Sequence, residues 1–206
     1  MMTEYTPDST SSGIKVWDAF IRTFHWSLAS GCLLAFLSGE FHWPVAHQWI
    51  GYGLCLLILA RVYWGFHGSR YARFRSFFFS LGETRAYIQS KFTGHPKHYL
   101  GHNPAGALMV FALLILISAI LASGLLTLSV IDFEGPLLFL ANRVSDEASY
   151  LMRDVHQTLP YLGLILVGLH LLGVWSGSWL HHENLVRAML TGYKPYSSPN
   201  DDKEHS

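Results

Sequence analysis

Charge is scarce in this 206-residue chain: Asp, Glu, Lys and Arg make up only 14% of it, against roughly 25% in soluble domains. Half the residues are apolar and the mean hydropathy is +0.26. That combination excludes intrinsic disorder and leaves too little polar surface for an ordinary water-exposed domain. Net charge is missing as well, because 14 basic side chains balance 14 acidic ones, so no basic excess supports nucleic-acid binding. Cysteine is almost absent. Cys32 and Cys55 lie in apolar runs, which excludes a disulfide framework and a zinc site of several thiolates. There is no P-loop, no G-x-G-x-x-G and no Ser/His/Asp set to suggest nucleotide binding or hydrolysis.

Long apolar runs, by contrast, are plentiful. Four of them, near residues 20–37, 47–66, 105–130 and 155–180, approach the roughly 20 residues that cross a hydrocarbon core of about 30 Å. A soluble bundle would place charges on an outer helix face, and the second, third and fourth runs carry almost none. The expected fold is therefore all-α: a bundle of four transmembrane helices over residues 15–194. Polar tails at 1–14 and 195–206 flank it, the first too polar to serve as a cleavable leader. Ser80-Leu81-Gly82-Glu83 has capping-box form, so residues 83–92 are expected to form a short helix between the second and third spans, lying in the interface.

Orientation follows from the basic residues. Twelve of the fourteen, including Lys15, Arg22, Arg61, Arg70, Arg85, Arg187 and Lys194, fall on the side of the termini and the central loop, leaving Arg143 and Arg153 on the other. The positive-inside rule places the termini and that loop in the cytoplasm.

Histidine is the remaining surplus, with twelve copies in a chain short of polar groups. An ionisable side chain within a span is costly and is a functional candidate by default. His156 and His170 in the fourth span are 14 residues apart, four turns at the 3.5-residue period of a supercoiled bundle and about 21 Å along the axis. Each thus lies near one membrane surface. Depth pairs His170 with His25 of the first span and His156 with His47 of the second.

Facing imidazoles from different helices are what a six-coordinate haem iron requires. With no C-x-x-C-H in the chain, any such haem is held without thioether bonds. Small residues lie near each candidate ligand: Ala29, Gly51, Gly163 and Gly173. Arg22 and Arg153 each precede one by three residues, placed either to pair with haem propionates or to anchor helix ends at the interface. His67 and His102 compete with His25, and His42 with His47; His95, His98, His181, His182 and His205 belong to loops or tails. A zinc or copper site would gather its histidines at one depth, and two pairs some 20 Å apart speak against that.

The chain resembles the prokaryotic cytochrome b561 group, in particular its branch of b-type cytochrome subunits of nickel-iron hydrogenases. The matching stretches are Val16-Trp17-Asp18, Arg22-Thr23-Phe24-His25-Trp26, His47-Gln48-Trp49-Ile50-Gly51, the run Gly101-His102-Asn103-Pro104-Ala105-Gly106-Ala107-Leu108-Met109, the His156 to His170 spacing, and Glu183-Asn184-Leu185-Val186-Arg187-Ala188-Met189-Leu190-Thr191-Gly192. The resemblance implies four helices, two non-covalent haem b groups ligated by His25, His47, His156 and His170, and electron exchange with membrane quinone.

It leaves the partner open. The expected function is electron transfer between quinone and an outer-face partner, either a c-type cytochrome or a hydrogenase-like subunit; a homodimer is compatible with the sequence. The outer loop, residues 131–152, carries Asp132, Glu134, Asp146 and Glu147 against Arg143, which favours a basic partner and disfavours an anion such as superoxide. A stand-alone superoxide:quinone oxidoreductase and a haem-bearing anchor for a redox complex are the alternatives.

Overall fold

The computed structural model describes residues 13–93, 97–180 and 182–194. The greater part of both expected tails, residues 1–12 and 195–206, and with them His95, His181 and His205, lie outside the described residues. Four helices are long and apolar enough to cross a membrane: α1 (Ala19–Glu40), α2 (Pro44–His67), α4 (Pro104–Val130) and α5 (Asp146–Leu180). Between α2 and α4 lie a 3₁₀ turn (Phe74–Ser76) and α3 (Leu81–Phe92), and a short α6 (Leu185–Thr191) follows α5.

The helix starts follow local chemistry. Asp18 accepts a hydrogen bond from the Ile21 amide at 2.8 Å and caps α1, and Asn103 does the same for Gly106 at the head of α4. Pro44 and Pro104 occupy first-turn positions, where their missing N–H costs nothing. At α3 both capping-box bonds are made, Glu83 N–H to Ser80 Oγ and Ser80 N–H to Glu83 Oε2. The helix therefore begins at Leu81, two residues before the expected start, because Glu83 occupies the third helical position and not the first.

The expected outer loop, residues 131–152, is shorter than its polarity implied. It contains a 3₁₀ helix at Leu138–Arg143, and its last residues already belong to α5, which begins at Asp146 and runs 35 residues. Asp146 and Glu147 stand in the first turn, where their charge favours the positive helix end, and Ser145 Oγ accepts from the Ala148 amide.

α1 packs along α2 and α4 along α5, with α2 and α4 joining the two antiparallel pairs. Leucines and isoleucines such as Leu33, Leu59, Ile115, Ile165 and Leu171 are exposed around the bundle, as lipid contact requires. Exposed Trp43 and Trp49 mark one end and Trp175 and Trp179 the other, in the manner of interfacial aromatic belts.

A compact apolar cluster closes the end where the first and last described segments meet. Val16, Trp17 and Ile21 pack with Ala72 and Ala188. Ile14–Lys15 (β1) pairs antiparallel with Tyr193–Lys194 (β2). The first and last of the matching stretches thus lie against each other: the Val16 and Trp17 amides both donate to the Gly192 carbonyl, at 2.9 and 3.1 Å. Asp18 joins a third segment by accepting from Trp64 Nε1 and Ser69 Oγ.

Gly192 ends α6 at φ +91°, and an added Cβ would stand 2.6 Å from the Trp17 carbonyl oxygen. Gly192→Ala is accordingly expected to cost about 2 kcal/mol, from the left-handed backbone plus the forced displacement. A thermal melt in detergent that matches the unaltered protein would contradict this.

Candidate haem site

Two imidazole pairs face each other across the bundle. The rings of His25 on α1 and His170 on α5 have centroids 6.3 Å apart, and those of His47 on α2 and His156 on α5 are 5.9 Å apart. An imidazole nitrogen bonds a metal at about 2.0 Å and lies ~1.1 Å from its ring centroid, so two rings ligating one iron from opposite sides would stand roughly 6.2 Å apart. All four rings are half-buried.

The second pair, His47 and His156, expected on the outer side, also has its tautomer fixed. His47 Nδ1 lies 2.9 Å from the Ala35 carbonyl oxygen and His156 Nδ1 lies 3.0 Å from that of Ile120. A carbonyl only accepts, so Nδ1 carries the proton and donates, and Nε2 keeps its lone pair for a metal. These observations fit a bis-imidazole haem. Room is present too: a Cβ on Gly51, one turn after His47, or on Gly173, three residues after His170, would meet no protein atom within 4 Å.

Among the described residues, the other histidines make their ring contacts elsewhere or stand exposed. His67 stacks on Tyr63 at 4.5 Å and is exposed. His102 lies between Trp17 and Phe77, with ring centroids at 4.7 and 4.5 Å. Burial, reinforced by Arg61 and Lys194, drives the His102 pKa down to about 3, so it stays neutral. His42 is exposed in the α1–α2 turn at φ 56°. His98 Nε2 bonds Glu183 Oε1 at 2.7 Å, and His182 is exposed at φ 50° just beyond α5.

The two candidate arginines differ. Arg22 donates from Nη1 to the Leu190 carbonyl, while its Nε is buried without a hydrogen-bond partner among the described residues. Arg153 is exposed, its guanidinium 5.2 Å from the Tyr150 ring centroid.

Sequence reading passed over several residues. Arg61 served there only as a marker of topology, yet it is 3% exposed, donates from Nη2 to the Ala72 carbonyl and leaves Nη1 buried without a partner among the described residues. Ser38 and Ser123, each followed by glycine, touch the outer imidazoles. The repeated Ser-Gly pair was a visible signal, but it also occurs at Ser30-Gly31 and Ser176-Gly177, where no imidazole is met.

The profile of the prokaryotic cytochrome b561 family matches residues 16–192. The chain belongs to this family. A "Probable Ni/Fe-hydrogenase B-type cytochrome subunit" of Azotobacter vinelandii is 29% identical over 128 residues, which cover 48% of this chain and 52% of that one. A protein of the same description from Azotobacter chroococcum mcd 1 is 27% identical over 133 residues, 51% of this chain and 55% of that one. The chain thus spans about half the length of the curated relatives it matches. No solved structure matches it. As a b561-family member with four helices long and apolar enough to span, it is a multi-pass membrane protein.

Proposed function

We propose that this b561-family protein holds two haem b groups, one near each membrane surface, and conducts electrons between an outer-face redox partner and the quinone pool. The observation that carries the reading is the pair of facing imidazole couples, His25/His170 and His47/His156, at opposite ends of the same helix α5. Bound haem supplies one-electron iron chemistry at each couple; the chain supplies position, ligands and an apolar surround.

His25 with His170, and His47 with His156, would each hold one haem iron and leave it no open site for substrate. Arg22 and Arg61, through the buried nitrogens left without partners, would hold the carboxylates of the inner group. Arg153, three residues before His156, would do the same at the outer one, in a more exposed setting. The domain extends over residues 15–194, and the basic termini and α2–α4 connection face the cytoplasm of the inner membrane.

The descriptions of the Azotobacter relatives support a hydrogenase-like partner. The acidic outer side, with Asp132, Glu134, Asp146 and Glu147, equally suits a basic c-type cytochrome. Identifying the protein that co-purifies on the outer face decides between them. The haem count is tested by a pyridine haemochrome assay on the purified protein, expected to give two b haems per chain; a value of one removes the two-couple scheme.

A further inference from the structure

The two outer imidazoles are held by matching three-part clamps. On α1, Ser38 Oγ donates to the Ala35 carbonyl at 2.9 Å, and His47 Nδ1 lies 2.9 Å from that oxygen and 3.3 Å from Ser38 Oγ. On α4, Ser123 Oγ donates to the Ile120 carbonyl at 2.8 Å, and His156 Nδ1 lies 3.0 Å from that oxygen and 3.2 Å from Ser123 Oγ.

Because each hydroxyl proton is already committed to a carbonyl, the serine oxygen accepts from the imidazole. Each Nδ1–H is therefore shared between two acceptors three residues apart on a neighbouring helix. At Ser123 the following glycine lets the ring in, since a Cβ on Gly124 would lie 2.7 Å from His156 Cε1; a Cβ on Gly39 would lie 3.4 Å from His47 Cε1 and Nδ1, an ordinary contact.

Both serines are buried, at 3% and 8% exposure, in the C-terminal parts of α1 and α4, where an unbonded hydroxyl is costly. The inner couple is built differently, since His25 Nδ1 is buried without a hydrogen-bond partner among the described residues.

We propose that Ser38 and Ser123 are positioning residues for the outer haem: each fixes its imidazole's plane and, by accepting from Nδ1–H, increases the electron donation of the ligating nitrogen. This rests on the two-haem reading above. A ligand of higher basicity favours the ferric iron, so the serines lower the potential of the outer haem and leave the inner one untouched.

The test is redox titration of the intact, haem-loaded protein carrying Ser38→Ala, Ser123→Ala, both together, or the Thr replacements, with haem content measured alongside. The expected result is an upward shift of one of the two midpoint potentials in each Ala variant, larger in the double variant. The second potential should stay unchanged, and the Thr variants should titrate like the unaltered protein. If an Ala variant loses one haem while its Thr counterpart keeps both, the hydroxyl is again shown to hold the ligand.

Unchanged potentials in Ala variants that retain both haems overturn the proposal, as does a downward shift or an equal shift of both haems. Loss of haem from the Ala and Thr variants alike also overturns it. Finding fewer than two haems in the unaltered protein would instead refute the two-haem reading, so the two failures are distinct.

Discussion

His170→Ala is expected to leave one haem per chain in place of two and to abolish electron passage between the membrane faces. His170 stands opposite His25, and among the described residues no other imidazole is placed to substitute: His67 stacks on Tyr63 and His102 is wedged between Trp17 and Phe77. A single remaining imidazole cannot give a six-coordinate low-spin iron. His156 lies 14 residues from the change along α5, and the carbonyl acceptors for His47 and His156 are on α1 and α4, so on the two-haem reading the haem of that couple should remain.

Haem content and reduced-minus-oxidised spectra measure the first effect. Reduction of an outer-face acceptor by quinol in vesicles measures the second. His25→Ala should behave alike, and retention of both haems in that variant would transfer the ligand role to His102 or His67. If a partner still binds and physiological function persists in His170→Ala, the chain serves as an anchor and not as a conductor.

Loss of the buried ion pair between Glu183 and Lys194 has the next largest expected effect. Glu183 and Lys194, each with its side chain 5% exposed, meet at 2.9 Å, and the second carboxylate oxygen meets His98 Nε2 at 2.7 Å. Lys194 also donates to the Tyr99 carbonyl. These contacts tie the strand after α6 to the segment before α4. Glu183→Gln leaves the ammonium buried without its counter-charge, and breaking such a pair costs about 3 kcal/mol.

The wild-type pair has an acid signature. Burial alone raises the Glu183 pKa, but bonding and charge from Lys194, and then His98, outweigh it and hold the carboxyl below its ordinary value of 4.5. A depressed folded pKa means the contribution is complete above that ordinary value and is lost as pH falls through the folded one. Thermal stability should therefore be flat in this respect near neutrality and decline below about pH 4.5, with a shallower decline in Glu183→Gln. An equal acid slope in the two proteins would show that this pair contributes nothing.

The four spans and the α3 capping box were legible because each rests on a local pattern: long apolar runs, Pro at helix starts, Ser80 with Glu83. The first turns of α5 were not. Asp146, Glu147, Arg153 and Asp154 lower the local hydropathy and read as loop, although acidic residues are what a first turn prefers. The β1–β2 ladder has two residues per strand, too few to show alternation.

Within the site, helix depth alone paired the histidines as the structure does. The serine clamps were hidden, since which Ser-Gly pair meets an imidazole depends on how neighbouring helices are rotated against one another. Arg22 and Arg153 looked equivalent by spacing, yet one is partly buried by α6 and the other lies open beside Tyr150.

The length of α5 carries an electrical consequence. Its 35 residues place His156 ten positions from one end and His170 ten from the other, so the two couples are set symmetrically about its middle. Their axial separation of about 21 Å is roughly 0.7 of a 30 Å hydrocarbon core. On the two-haem reading, an electron passing between them crosses most of the voltage drop of the membrane. A full crossing is worth about 2.3 kcal/mol per 100 mV, which makes this step worth about 1.6 kcal/mol, or somewhat more than a tenfold shift in where the electron resides. An energised membrane would thus oppose inward electron transfer and assist its reversal, and the chain would sense voltage without any mobile charged helix.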